Sequence, residues 1–157
     1  MGDDTLLSKQ YSKKLDLIHY QYSGAAHDVI PGIGMLNLLH YDAKTEQSIP
    51  VDYRIYDKGT DGKTKNDPFC EMLSLAKERG INPEAVIMDA WYSSLEKLKH
   101  IRKLGWIWVT NLRKNRKVNG NVSLESLKIP DEGLKIHLRG YGWVMVFKFV
   151  AKNGHID

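Results

Sequence analysis

A chain of 157 residues that is 42% hydrophobic and 27% charged has the length and balance of one globular domain with a substantial core. No apolar run nears the roughly 20 residues that span a bilayer, and Met1-Gly2-Asp3-Asp4 lacks the basic and apolar parts of a signal peptide. The single cysteine, Cys70, excludes an internal disulfide, so the expected setting is cytoplasmic and without a membrane partner. The six histidines (His19, His27, His40, His100, His137 and His155) are scattered and have no zinc-type spacing.

In chain order, Asp3-Asp4-Thr5-Leu6-Leu7 reads as a strand with almost no lead-in. Ser8 to Asp28 is polar, rich in Lys and Tyr and without periodicity, which predicts a long connection. Gly32 to Tyr41 is the next strand. Its Gly32-Ile33-Gly34 is not a dinucleotide loop, because it neither follows a strand nor opens a helix. After a polar loop over 42–48, Ile49 to Tyr56 alternates, with Val51, Tyr53 and Ile55 on one face, so these two strands predict a hairpin. Asp57 to Asn66 is a charged, turn-rich loop. Asp67 is placed to cap a helix with Pro68 at its first position, and Phe69, Met72, Leu73 and Ala76 give that helix a buried stripe up to Gly80.

The stretch Ala85-Val86-Ile87-Met88-Asp89-Ala90-Trp91-Tyr92-Ser93-Ser94 organises the rest. Four apolar residues predict a short buried strand that ends on a carboxylate. Ser93, with Glu96 three residues on, has capping-box spacing. A second helix follows from Leu95 to Leu104, burying Leu95, Leu98 and Ile101 and ending at Gly105. Trp106 to Thr110 is then another short buried strand. Strand–helix–strand–helix–strand requires two crossovers and hence a partly parallel sheet. Beyond it, Asn111 to Asn121 is loop-like, 122–128 suits a helical turn, and Leu134–Leu138 with Trp143–Val150 forms a hairpin through Gly140-Tyr141-Gly142. Asn153-Gly154 is a strong hairpin-turn signal whose returning strand stops after three residues.

Two features carry chemistry. If the strand bearing Asp3-Asp4 neighbours the one ending at Asp89, carboxylates converge at a sheet edge. Such a sparse oxygen site suits Mg²⁺ and phosphoryl-transfer chemistry. The competing reading is a helix cap plus exposed terminal acids. A phospho-acceptor receiver domain is excluded by the 85 residues separating Asp4 from Asp89 and by the antiparallel pair between them. From Lys97 to Lys117 there are eight basic residues and no acid, which suits phosphate contact or a solvated helix face and loop.

The runs Asp3-Asp4-Thr5, Pro50-Val51-Asp52-Tyr53-Arg54-Ile55-Tyr56, Gly62-Lys63-Thr64-Lys65-Asn66-Asp67 and Asp89-Ala90-Trp91-Tyr92-Ser93-Ser94 occur in that order. Together they resemble the catalytic domain of bacterial insertion-sequence transposases, the DDE-type enzymes. The resemblance implies an α/β, ribonuclease-H-like mixed sheet: three antiparallel strands, then helix–strand–helix–strand. It also implies a partial catalytic core over 1–117 and a truncated β-rich insertion over 118–157. It makes Asp4 the first catalytic, metal-holding carboxylate, with Asp3 as the second choice, and Asp89 the second carboxylate. The cofactor would be Mg²⁺, with Mn²⁺ as a substitute.

The implied activity is cleavage of DNA at element ends and joining of the freed 3′-hydroxyl to target DNA, by an enzyme that acts as a homodimer. Arg113, Lys114, Arg116 and Lys117 would face that DNA. The third acid of such enzymes is a glutamate on a later helix with a Tyr, Arg, Glu and Lys signature. Glu125 and Glu132 precede the last hairpin and lie outside such a signature. The expectation is therefore a fragment, truncated at both ends and inactive alone. The alternatives are a non-catalytic DNA-binding remnant, or a degraded gene product.

Overall fold

The computed structural model describes residues 1–11, 15–56 and 66–149. Of the loop expected over 57–66, residues 57–65 lie outside those residues and Asn66 belongs to a helix; the turn expected at Asn153-Gly154 also lies outside them. Strands β1 (Gly2–Ser8), β2 (His19–Ser23), β3 (Asp28–Asp42) and β4 (Gln47–Tyr56) come first. Helix α1 (Asn66–Glu78), β5 (Ala85–Met88), a 3₁₀ turn (Ala90–Tyr92), α2 (Leu95–Lys103) and β6 (Ile107–Thr110) follow. The last part holds β7 (Lys117–Val118), β8 (Val122–Ser123), a second 3₁₀ turn (Leu124–Ser126), β9 (Leu134–Leu138) and β10 (Gly142–Val146).

One six-stranded sheet runs β2–β3–β1–β5–β6, and β4 also pairs with β3. Strand β3 is the hub. Gly32 pairs with Ser8 of β1 and with His19 of β2, while Gly34 pairs with Leu6 and with Tyr56 of β4. Strands β2 and β4 therefore follow each other along one edge of β3, and β1 occupies the other. A Cβ on Gly32 would lie 2.7 Å from the Leu7 carbonyl oxygen, and this crowding accounts for the first glycine of Gly32-Ile33-Gly34. Pairing is antiparallel among β1 to β4 and parallel in β1–β5 and β5–β6.

Several expectations change here. His19–Ser23, read as connection, is a strand whose alternation is polar on both sides. The register of β3–β4 shifts between Leu38 and Leu39, which face Asp52 and Pro50, so Val51 is the extra residue of a β-bulge. Val51 packs on the core while Tyr53 and Ile55 are exposed, so the bulge parts the face expected to hold all three. Arg79 Nη1 donates to the bulged Val51 carbonyl at 3.2 Å. Helix α1 begins at Asn66, which puts Asp67 and Pro68 inside its first turn.

The apolar stripe of α1 is buried as predicted: Phe69, Met72, Leu73 and Ala76 are at most 3% exposed. They meet Leu36 and Leu38 of β3, Val86 and Met88 of β5, and Leu98 and Ile101 of α2 in one core cluster. Leu95 is only half-buried. Both helices end in Schellman motifs. Gly80 (φ 82°) is followed by Ile81 N–H on the Ala76 carbonyl, and Gly105 (φ 82°) by Trp106 N–H on the Ile101 carbonyl.

Strands β5 and β6 are covered on one face only. Ile87, Ile107 and Val109 are exposed, as are Tyr53 and Ile55, so the expected fully buried strands are half-buried among the described residues. No described helix is long and apolar enough to cross a membrane.

Residues 122–128, expected as a helical turn, contain one, the 3₁₀ turn Leu124–Ser126, preceded by the two residues of β8. The β7–β8 pair closes over Asn119 (φ 48°) and Gly120 (φ 93°), both left-handed. The expected hairpin is present as β9–β10, but its second strand ends at Val146, so Phe147 to Phe149 lie beyond the ladder. It docks on the core through Tyr141, whose hydroxyl accepts from Trp108 Nε1 at 2.7 Å and whose carbonyl accepts from Arg102 at 3.1 Å. Val118, Leu124, Ile136 and Leu138 join the same buried cluster as α1.

Candidate metal-binding acid site

Strand β1 is parallel to β5 with Gly2 opposite Met88, so Asp3 and Asp4 follow just where β5 gives way to Asp89. Three carboxylates thus stand at one edge of two neighbouring strands, in the crevice outside a strand's carboxyl end where open α/β sheets take ligands. All three are exposed. Asp89 keeps extended geometry (φ −67°, ψ 159°), and its Oδ1 accepts from the Trp91 N–H at 3.4 Å. Its carbonyl accepts from the Tyr92 N–H at 2.9 Å, closing the 3₁₀ turn.

Ser93, expected to cap α2, does not. Ser94 is the N-cap, without a side-chain cap bond, and the Ser93 hydroxyl donates instead to the Ala90 carbonyl at 2.7 Å. The helix begins at Leu95 as expected, and the turn after Asp89 moves the cap from Ser93 to Ser94.

The two adjacent aspartates differ. In β1, Asp4 pairs with Leu36, which pairs with Arg54 of β4, forming one row across three strands. Asp4, Leu36, Arg54, Pro68 and Tyr92 line a cavity of about 10 Å³. Asp3 is one step off that row, and its Oδ1 accepts from the Asp4 N–H at 2.9 Å. Its neighbour at i+2, Thr5, accepts from Asn37 on the open face of the sheet. Arg54 pairs with Asp52 at 3.1 Å and keeps part of its guanidinium exposed.

Tyr92 is wholly buried, and its hydroxyl has no hydrogen-bond partner among the described residues. Burial pushes its pKa well above the usual phenol range, and the charges of Asp4, Asp3 and Asp89 add to that in decreasing order. All three acids therefore act on one hydroxyl, which stays a protonated donor. The donor set is oxygen only and sparse. It fits a hydrated Mg²⁺ or Mn²⁺, since Mg²⁺ keeps several waters and needs one or two carboxylates. No group of three or more His, Cys, Asp or Glu among the described residues is arranged to hold a metal ion. The charge influence on Tyr92 reaches further than ligand distances do.

The basic run divides. Lys97 is 2% exposed, with Nζ 4.2 Å from the Tyr92 ring centroid, so it belongs to the core and not to a DNA-facing surface. Arg113, Lys114 and Lys117 are exposed. Arg116 is half-buried. Its Nη1 donates to the Ser93 carbonyl at 2.9 Å, and burial lowers its pKa from the usual arginine value. That bond ties the basic loop to the turn carrying Asp89. Trp91 is 59% exposed beside Asp89, whereas Tyr92 stacks on Phe69 at 4.8 Å. Sequence reasoning missed the roles of Tyr92, Arg54 and Ser93. The first was visible as a tyrosine three residues after the acid, but the others depend on register and on a distant loop.

Residues 19–142 match the family described as transposase DDE domain. No curated protein and no solved structure matches the chain. The matched span contains Asp89 and begins after β1, so Asp4 rests on the sheet register and on the motif order in the sequence.

Proposed function

The chain belongs to the transposase DDE domain family, and we propose that it is part of the catalytic domain of an enzyme that cleaves and joins DNA at insertion-sequence ends, with a divalent cation held by Asp4 and Asp89. The observation that carries this reading is the meeting of the β1 aspartates with Asp89 at the end of β5. The strand order β4–β3–β1–β5–β6, antiparallel then parallel, supports a ribonuclease-H-like core. Bound Mg²⁺ would neutralise charge at phosphorus as a water or a 3′-hydroxyl attacks.

The residues themselves divide the work. Asp4 and Asp89 supply the carboxylate oxygens, and Arg113, Lys114 and Lys117 supply phosphate contacts that set the DNA's position. Arg116 orders the loop that presents them. In this reading residues 118–157 form a β-rich insertion, the cation is Mg²⁺ or Mn²⁺, and the working form on paired DNA ends is a homodimer. Organised strand transfer requires a third acid, and no ligand group of three stands among the described residues, so weak cation binding and poor DNA cleavage are expected. The absence of a three-residue ligand group among the described residues favours a second reading, binding to DNA without chemistry.

Mn²⁺ titration followed by electron paramagnetic resonance separates the two. Binding that is lost in both Asp4→Asn and Asp89→Asn is the expected result. Salt-sensitive DNA binding that ignores both substitutions, with no Mn²⁺ bound, would establish the second reading instead.

A further inference from the structure

Tyr92 joins the two halves of the acid site. Its main-chain N–H is fixed on the Asp89 carbonyl at 2.9 Å. Its ring is clamped between Phe69, at 4.8 Å, and the Lys97 ammonium, 4.2 Å from the centroid. Tyr92 lines the same small cavity as Asp4, and its hydroxyl stands at the far end of this rigid arm. It is buried and unpartnered among the described residues. Buried hydroxyls in folded proteins almost always donate to something, and one left without an acceptor marks a missing ligand state or a functional role.

We propose that Tyr92 is a positioning residue: when the divalent cation binds, the Asp4 carboxylate accepts from the unpartnered Tyr92 hydroxyl and is held facing Asp89, which selects Asp4 over Asp3. The inference rests on the acid-pair reading above. Carboxylates that ligate metals are commonly oriented by such outer hydrogen bonds. A carboxylate oxygen accepting from a fixed phenol presents its other oxygen outward, towards the sheet edge where Asp89 stands. Asp3 sits off the row that faces the cavity, and its Oδ1 is engaged by the Asp4 N–H. Arg54, across Leu36 on the same row, lines that cavity beside Asp4.

The test is Mn²⁺ affinity in the whole chain, measured for Tyr92→Phe, which keeps the clamped ring and removes only the hydroxyl. A tenfold to hundredfold weakening is expected, with the thermal midpoint unchanged or higher. In an Asp4→Asn background the substitution should add nothing, and in an Asp3→Asn background it should keep its full effect. Wild-type affinity in Tyr92→Phe, alongside loss in Asp4→Asn, overturns the positioning role and leaves the acid pair standing. Wild-type affinity in both Asp4→Asn and Asp89→Asn removes the acid pair itself, and this inference with it. If Tyr92→Phe does not fold, the buried Tyr92 hydroxyl proton serves as the second probe by nuclear magnetic resonance. Its resonance should move in Asp4→Asn and stay in Asp3→Asn, and the reverse pattern overturns the selection of Asp4.

Discussion

Arg116 and Arg113 lie three positions apart in one basic loop and do different work. The Arg116 guanidinium donates to the carbonyl of buried Ser93, at 2.9 Å. Removing it in Arg116→Ala leaves a buried acceptor short of its donor, and urea unfolding should show a loss of about 1–3 kcal/mol. Arg113 is exposed, so Arg113→Ala should change stability by no more than about 0.5 kcal/mol. In DNA binding the order reverses. Arg113→Ala should lower the slope of log affinity against log salt by about 1, the signature of one lost phosphate contact. An unchanged slope would place DNA elsewhere on the surface. Nothing in Arg113-Lys114-Asn115-Arg116-Lys117 distinguishes these arginines by composition. The difference comes from a loop folding back on the Asp89 turn, and no local pattern encodes it. Lys97 is the same lesson in the opposite direction: its burial beneath the aromatic pair is set by where α2 lands, not by its own type.

At the scale of elements, the helices were legible because their signals are local. The stripe Phe69, Met72, Leu73 and Ala76 and the stop at Gly80 are written in consecutive residues, and the structure adds the left-handed φ of 82° that makes Gly80 necessary. Gly80→Ala should therefore cost about 1–2 kcal/mol in thermal unfolding, with no clash to confuse the result, since a Cβ there meets nothing within 4 Å. A neutral outcome would mean that α1 ends differently in solution. Strand β2 was illegible because His19-Tyr20-Gln21-Tyr22-Ser23 has no apolar face; its ladder is with β3. The bulge at Val51 was hidden by Pro50, which lacks the N–H of a regular ladder and yet sits in a sequence that alternates well. Asn119-Gly120 is as strong a turn signal as Asn153-Gly154, but the strands it joins are two residues each, too short for their pattern to register. The start of α2 at Leu95 was legible, but its cap moved from Ser93 to Ser94 because the turn after Asp89 could not be counted in advance.

Across the whole molecule, the carboxylate at the end of β5 could be read from the sequence, and the acids of β1 could be named as its candidate neighbours. Their adjacency could not, because it depends on β1 inserting between β3 and β5, strands distant from it in the chain. Which aspartate faces the cavity was equally hidden, since one position of register reverses every side chain of a strand. The same topology leaves one face of β5 and β6 bare of helix among the described residues, although parallel strands are normally covered on both sides. Periodicity alone could not show this, because Ile87, Ile107 and Val109 are as apolar as their covered neighbours.

The sheet has a seam. Strand β1 is laddered to β3 over seven residue pairs, from Gly2↔Leu38 to Ser8↔Gly32, but meets β5 through the single pair Gly2↔Met88. The acids stand on opposite sides of it, Asp3 and Asp4 on one and Asp89 on the other. Native-state hydrogen exchange should therefore resolve two cooperative units, β1–β3–β4 and β5–α2–β6, with the junction opening at lower free energy than either. A cation bridging Asp4 and Asp89 would bind only the closed seam, so added Mn²⁺ should slow exchange at the junction and draw the two units towards one, by mass action. Exchange that is uniform without metal, or unchanged with it, would show that the seam does not open. In that picture the acid pair is a latch as well as a cation site: the ion that the chemistry requires also sets how long the two halves of the sheet stay together.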